Sequence, residues 1–481
     1  MRNYDPRHEP GWLWVSAIVG LLLVSLACGD RSPEEEPPPA AEPEAEADAG
    51  VNPVPFPAGF NVPTDRTTIE DWVFASPQNT EAMFGHAWDI WNGMFQPSGE
   101  YQQQPDGRRE LVVFETWASD VDVFDSGVTS LEQLASAMPA RNVKPFHVPR
   151  QLNHPAFAEA APPDTDPEQV LAFVKYDPVA ASHIVTQGYN RASTLNEIQA
   201  SWPSGTPVLD RQIDEFEPAS IAIKPVWYLV KQTGLTVFPV WPGPPSPAKS
   251  FGPGDWDTCV LVDPTNQGGG GTQQGDCNGT QKDLPVVNLD QFHFQQLTAE
   301  EAADILELQP TGDDLKGAAE GDYTILVAMH VTSKELQRWT WQTFWWTTDP
   351  DAPDAPSSAE AAAARPANLP GAASHYATCT AYSMVVPAQP ITGGTNLCEQ
   401  VTDPGCLFCF NPYLEAGFGP STVGPDRYGI QTNCMSCHAG APWPPSAPVP
   451  TYVADQYVDL GGSEFSEVTK LDFLWSLQNA K

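Results

Sequence analysis

The residues with the most explicit chemistry lie late in the 481-residue chain, in Asn433-Cys434-Met435-Ser436-Cys437-His438-Ala439. This is C-x-x-C-H, the attachment pattern for haem c. Two thiols separated by two residues reach the two vinyl groups on one haem edge, and the adjoining imidazole supplies a proximal iron ligand. Attachment of this kind takes place outside the cytoplasm, so the motif also demands an export signal. The same residues admit plainer readings: a CxxC disulfide, or half of a zinc site completed by Cys406 and Cys409.

The sixth iron position is the harder question. The 43 residues after His438 contain neither His nor Met, which excludes an ordinary small cytochrome c with its Met ligand downstream. A distal ligand comes from upstream, from another molecule, or is absent. His330 is the first candidate, on an expected strand whose face (Thr324, Leu326, Ala328, His330, Thr332) is not simply apolar. Its plainer reading is a half-buried strand histidine. Met329 and Met384 come next, then His293 and His375. A His or Met ligand means electron transfer, with Met raising the potential; an open position allows a small molecule to bind or be activated.

Nine Cys occur in all. Cys28 is set apart below as a lipid site, and Cys434 and Cys437 belong to the haem motif. Six remain, an even number suited to disulfides in an oxidising compartment. Cys259 and Cys277 flank the Gly-rich loop DPTNQGGGGTQQGD and are expected to close it. Cys379, Cys398, Cys406 and Cys409 would form two more bridges, with pairing open. Phe410 follows Cys409, so the second CxxC is no haem motif, and a single haem argues against a di-haem peroxidase. Gly268 to Gly271 lacks the Lys and helix of a phosphate loop, and no nucleophile motif is present.

The segments FETWAS (Phe114 to Ser119), IKPVW (Ile223 to Trp227), WTWQTF (Trp339 to Phe344), NCMSCHA and LDFLWSL (Leu471 to Leu477) together resemble a group of largely uncharacterised bacterial cytochrome c family proteins. The resemblance implies a long β-rich region before a single late haem motif. In that group an acidic residue and a His often follow the T-F of the Trp motif. Trp345 and Trp346 stand there instead. The stripe Trp339, Trp341, Trp345 reads as a strand buried on both faces, part of which could line the haem edge.

The rest of the chain must carry and position these groups. Arg2 and Arg7 precede a 17-residue apolar run, Gly11 to Ala27, that ends at Cys28. That suits a signal peptide and is short of the ~20 residues of a spanning helix. Val24-Ser25-Leu26-Ala27-Cys28 looks like a bacterial lipobox, which implies lipidation of Cys28; Gly29 in the next position resembles outer-membrane sorting. Residues 29–63 read as a disordered acidic, Pro-rich tether. Residues 64–346 read as a β-rich domain, 347–374 as a linker and 375–481 as the haem c-bearing region, with a helix-like end at SEFSEVTKLDFLWSL.

Within the body the expected helices are Asn79 to Phe95, Leu131 to Met138 and Ala299 to Leu308. Expected strands include Glu110 to Ser119, Ser220 to Val230, Leu235 to Trp241 and Asp257 to Asp263, and a hairpin of Asp322 to Lys334 with Arg338 to Trp346. The fold class is therefore mixed and mainly β, a β-sandwich-like domain followed by a small irregular or α haem c region. With 51 Pro and only 17% charged residues, an all-helical bundle fits poorly. The net charge of −38 divides into −7 on residues 29–50 and −31 on residues 51–481. It excludes a nucleic-acid binder, which needs a clustered basic surface. It suits instead a redox partner protein with a basic docking surface.

The sequence alone thus points to an exported, membrane-anchored lipoprotein facing the periplasm or cell surface, with one covalent haem c carrying single electrons. Two alternatives stand beside it. One is a haem-dependent oxidase or peroxidase-like enzyme with an open distal site. The other is a cell-surface binding lipoprotein with a structural CxxC.

Overall fold

The computed structural model describes residues 50–125, 127–147, 170–308, 317–395, 406–418, 428–446 and 456–481. The signal segment, Cys28, Gly29, the tether up to residue 49, and Cys398 lie outside the described residues. Among the described residues no helix is long and apolar enough to cross a membrane.

The strands are β1 (Pro97–Gln104), β2 (Gly107–Val112), β3 (Ala118–Ser119), β4 (Val170–Ala172), β5 (Lys175–Tyr176), β6 (Ile221–Val230), β7 (Thr236–Pro239) and β8 (Cys259–Asp263). They continue as β9 (Thr272–Cys277), β10 (Thr280–Asn288), β11 (Phe294–Gln296), β12 (Tyr323–Ser333), β13 (Thr340–Trp346), β14 (Tyr376–Thr380), β15 (Pro442–Trp443) and β16 (Thr469–Lys470). The helices are α1 (Arg66–Phe74), α2 (Thr80–Met94), α3 (Asp120–Val123), α4 (Leu131–Ala137) and α5 (Pro178–Gln187). After them come α6 (Ala192–Ser201), α7 (Ala299–Glu307), α8 (Ala359–Ala363), α9 (Pro412–Glu415) and α10 (Cys434–Ala439). The fold is mixed and mainly β, as the sequence indicates.

Its centre is an eight-stranded sheet with the path β14-β13-β12-β6-β5-β3, to which β11 and β4 are added. A four-stranded sheet runs β7-β8-β10-β9. The expected hairpin is present: β12 and β13 pair antiparallel, with His330 opposite Thr343 and Thr332 opposite Trp341. On its other side β12 pairs β6, with His330 opposite Lys224 and Thr332 opposite Ala222. Directly paired residues share a sheet face. His330, Thr332, Trp341, Thr343, Lys224 and Ala222 therefore form one surface. Met329, a single residue away, is paired with Phe344 and faces the opposite side.

The opposite side is a dense aromatic core. Trp91 stacks on Phe344 at 4.1 Å, and Phe292 stacks on Trp346 at 4.2 Å. Trp88, Trp91, Trp227 and Trp346 are all fully buried. The residues expected as a linker, 347–374, are part of this packing. The indoles of Trp88 and Trp91 donate to the carbonyls of Ala361 and Ala373, and both alanines are completely buried. Small residues are what a wall of Trp rings can close against, and their composition mimics a linker. Beyond them β14 continues the same sheet, and the described residues fall in one compact unit.

Three further expectations differ. Packing starts before residue 64: Trp117 Nε1 donates to the Val54 carbonyl, and Val54 N to Thr116 Oγ1. The Glu110 to Ser119 strand is broken by a 3-10 turn at Val113–Thr116, where the Glu115 carboxylate turns inward to accept from Val112 N and Arg109. The helix-like end is instead a 3-10 turn (Ser463–Phe465), β16 and a second 3-10 turn (Trp475–Asn479). Asp472 and Phe473, with φ of 45° and 68°, stop any helix between them.

Candidate haem c site

Helix α10 holds the motif. Asn433 caps it, accepting from Ser436 N at 3.2 Å while its own amide donates to the Leu407 carbonyl at 2.8 Å. On a helix, positions three and four apart lie on one face, which brings Cys434, Cys437 and His438 together. All three line one cavity of about 510 Å3. That volume falls in the ~300–1,000 Å3 range of cofactor-sized sites.

A disulfide ties this helix to the sheet. Cys379 of β14 is bonded to Cys409. The Cys409 backbone then receives the Cys434 N–H at 3.1 Å and the Cys434 thiol at 3.2 Å. Cys434 and Cys437 are not in disulfides. Burial raises both thiols, Cys437 to about 12, with Glu415 adding to the effect. The expected Cys259–Cys277 bridge is present. Cys406 is also disulfide-bonded, its partner lying outside the described residues. With Cys406 and Cys409 both oxidised, the half-zinc reading loses its second thiol pair. Among the described residues no three His, Cys, Asp or Glu groups converge as a metal-ion site.

His438 is fixed from two directions. Its Nδ1 lies 2.8 Å from the Phe473 carbonyl oxygen, and Trp341 packs on its ring with centroids 4.1 Å apart. Burial lowers its pKa to about 3, so the imidazole is neutral. With Nδ1–H donated to a carbonyl, Nε2 keeps the lone pair that a metal needs. The Phe473 carbonyl is itself held in place. Asp472 and Phe473 both adopt left-handed backbone, and the Asp472 carboxylate accepts from buried Lys334 at 2.7 Å and from Phe216 N at 3.2 Å. Strain of this kind persists only where surrounding contacts over-determine it.

Across the sheet face, His330 Nε2 lies 2.7 Å from Glu415 Oε1. The other carboxylate oxygen accepts from Asn411 N. Lys224, the cross-strand neighbour of His330, also lines the cavity; burial lowers its pKa to about 8 against the pull of Glu415 and Asp120. His147 lines it too, 4.0 Å from Asp120. Apolar walls come from residues such as Phe173, Val331 and Leu474.

Of the candidate distal ligands, only His330 shares the cavity with His438. Met329 faces the aromatic core. Met384 Sδ accepts from Val458 N and Arg338. His293 is 3.0 Å from buried Glu115, and His375 is not part of the lining. In the Trp stripe, Trp341 alone reaches the cavity. Sequence reasoning passed over Glu415, Lys224, His147 and Phe473. Lys224 carried a signal, as the one charged residue within the apolar run Ile221 to Val230. Four of the five quoted segments supply lining residues, and the fifth ends beside Asp120, which also lines the cavity.

The chain matches none of the protein-family models, curated proteins or solved structures with which it was compared. The site's own geometry therefore carries the functional reading.

The residues fit the group that the motif implies. The cavity is of cofactor size, both thiols stand on its wall outside any disulfide, and the adjoining imidazole has one nitrogen committed and one available.

Proposed function

We propose that this protein is a c-type cytochrome. More particularly, it is an exported mono-haem protein that passes single electrons to and from a partner. Cys434 and Cys437 would hold the haem as thioethers and His438 would be the proximal ligand. When bound, the haem supplies a one-electron iron couple.

The chain's residues do the rest. Phe473 O orients the His438 ring and raises its basicity as a ligand, Trp341 excludes water from that ring, and the Cys379–Cys409 bridge fixes α10 against the sheet. The observation that carries this reading is the convergence of Cys434, Cys437 and a pre-oriented His438 on one 510 Å3 cavity. The acidic chain favours a basic redox partner, with association that weakens as salt is added. Lipidation at Cys28 would tether it to a membrane facing the periplasm or cell surface.

Potentiometric titration of purified protein decides whether it is a redox protein at all. A reversible one-electron transition, with exchange to a basic redox protein slowed by salt, is expected. Protein without any reversible transition would rule the proposal out.

A further inference from the structure

The cavity wall carries a second imidazole held in the same manner as the first. His438 has its Nδ1 on the Phe473 carbonyl at 2.8 Å, and His330 has its Nε2 on Glu415 Oε1 at 2.7 Å. A carboxylate accepts, so Nε2 of His330 carries the hydrogen and Nδ1 keeps the lone pair. Either ring nitrogen of a neutral imidazole can bind a metal. A metal-ligating His almost always donates its other N–H to a carboxylate, a carbonyl or water, and both rings already do so.

The Glu415 carboxylate is itself held in place. Its Oε2 accepts from the Asn411 N–H. Asn411 is completely buried; its amide donates to Thr343 Oγ1 at 2.7 Å and to the Phe344 carbonyl at 3.2 Å. Thr343 is the residue opposite His330 on β13, and its hydroxyl also donates to the Met329 carbonyl at 3.1 Å. The two imidazoles are near neighbours. Both line the same cavity of about 510 Å3. Trp341, whose ring centroid is 4.1 Å from that of His438, is the diagonal cross-strand neighbour of His330 on the same sheet face. After burial, a charge on His330 is the next influence that lowers the pKa of His438.

Resting on the haem reading above, we propose that His330 is the sixth ligand of the haem iron, through Nδ1, and that Glu415 is the residue that positions it. The iron is then closed to small exogenous ligands, as an electron carrier requires. A hydrogen bond to an ionised carboxylate is stronger than one to a carbonyl. Glu415 therefore makes His330 the more basic of the two ligands, which favours ferric iron and lowers the potential. His147, the remaining His of the lining, lies 4.0 Å from Asp120 and is the rival for the same position.

The test is visible spectroscopy of the full-length, haem-loaded protein, reading coordination and not turnover. Oxidised wild type should show a six-coordinate low-spin haem. His330→Ala should turn it high-spin and raise carbon monoxide affinity of the reduced protein at least about tenfold, because only the fraction with an open iron binds. Added imidazole should return His330→Ala to the low-spin spectrum, which separates a lost ligand from simple misfolding. His147→Ala should stay low-spin. Glu415→Gln, which can still accept from Nε2, should stay low-spin with a higher potential on redox titration. A high-spin wild type, a His330→Ala that remains low-spin, or a His147→Ala that alone opens the iron overturns the proposal. An unchanged potential in Glu415→Gln overturns the role given to Glu415. Wild type without covalent haem overturns the reading beneath as well.

Discussion

The Nδ1 of His438 stands 2.8 Å from the carbonyl oxygen of Phe473, a residue held in left-handed backbone. That contact settles which imidazole nitrogen is available, and it depends on a buried ion pair one residue away. Asp472 and Lys334 meet at 2.7 Å with side chains 4% and 0% exposed.

Breaking that pair should therefore affect both stability and the site. Asp472→Ala leaves Lys334 buried beside a single distant carboxylate, Glu215 at 3.7 Å. Removing one partner of a buried pair costs about 3–5 kcal/mol. Chemical denaturation should show that loss, and the Soret band should broaden as His438 loses its fixed acceptor. Lys334→Met/Asp472→Leu should recover much of the stability without sharpening the band.

Trp341 covers the same imidazole from the sheet side and is 3% exposed. Trp341→Ala should destabilise by about 3–5 kcal/mol, from lost burial and the cavity left behind. Trp341→Phe keeps an aromatic face on His438 and should cost clearly less. Equal losses for the two variants in thermal melts would contradict a packing role.

The Cys379–Cys409 and Cys259–Cys277 disulfides give a matched comparison. Cys379–Cys409 spans 30 residues and Cys259–Cys277 spans 18. On loop length both should stabilise by about 3–4 kcal/mol. Of these two, only the first touches α10, through the Cys409 carbonyl. Cys379→Ala/Cys409→Ala should lower the yield of haem-loaded protein, while Cys259→Ala/Cys277→Ala should destabilise and leave the loading intact.

Much of the fold was legible in the sequence where short-range chemistry decides it. Asn79 and Thr298 cap α2 and α7 as their residue types indicate, and the short polar gap between Asp322 to Lys334 and Arg338 to Trp346 marks the β12–β13 hairpin. Asp177-Pro178 followed by Gly188 is an equally plain start and stop signal for α5. The proximal acceptor was not legible, because a backbone carbonyl leaves no side-chain signature. Glu415 was hidden for another reason: contacts distant in sequence, among them the Cys379–Cys409 bridge, the Asn411 hydrogen bonds and Tyr413 on Pro239, bring α9 beside His330. Segment 347–374 was misread because alanines packed under Trp88 and Trp91 have the composition of a linker.

Away from the site, Lys175 offers a pH test. It is fully buried, and desolvation, aided by Arg141, lowers its pKa to about 7. In the unfolded chain a lysine titrates near ~10.4. Between these values the unfolded state holds a proton that the folded state lacks, so stability rises with pH by up to about 1.4 kcal/mol per unit. The contribution is complete above ~10.4 and is lost as pH falls through 7. Denaturation of wild type and Lys175→Met across this window should diverge with that slope. Parallel curves would show that Lys175 titrates normally.

The central claim is that Cys434, Cys437 and His438 hold a covalent haem. Its most direct test is the pyridine haemochrome spectrum of acid-acetone-extracted protein, produced with its signal segment in a host that attaches haem c. One haem per chain should resist extraction and show the two-thioether α band, and Cys434→Ala/Cys437→Ala should show none. Folded wild-type protein that gives up all its haem to the solvent, or never carries any, would contradict the account.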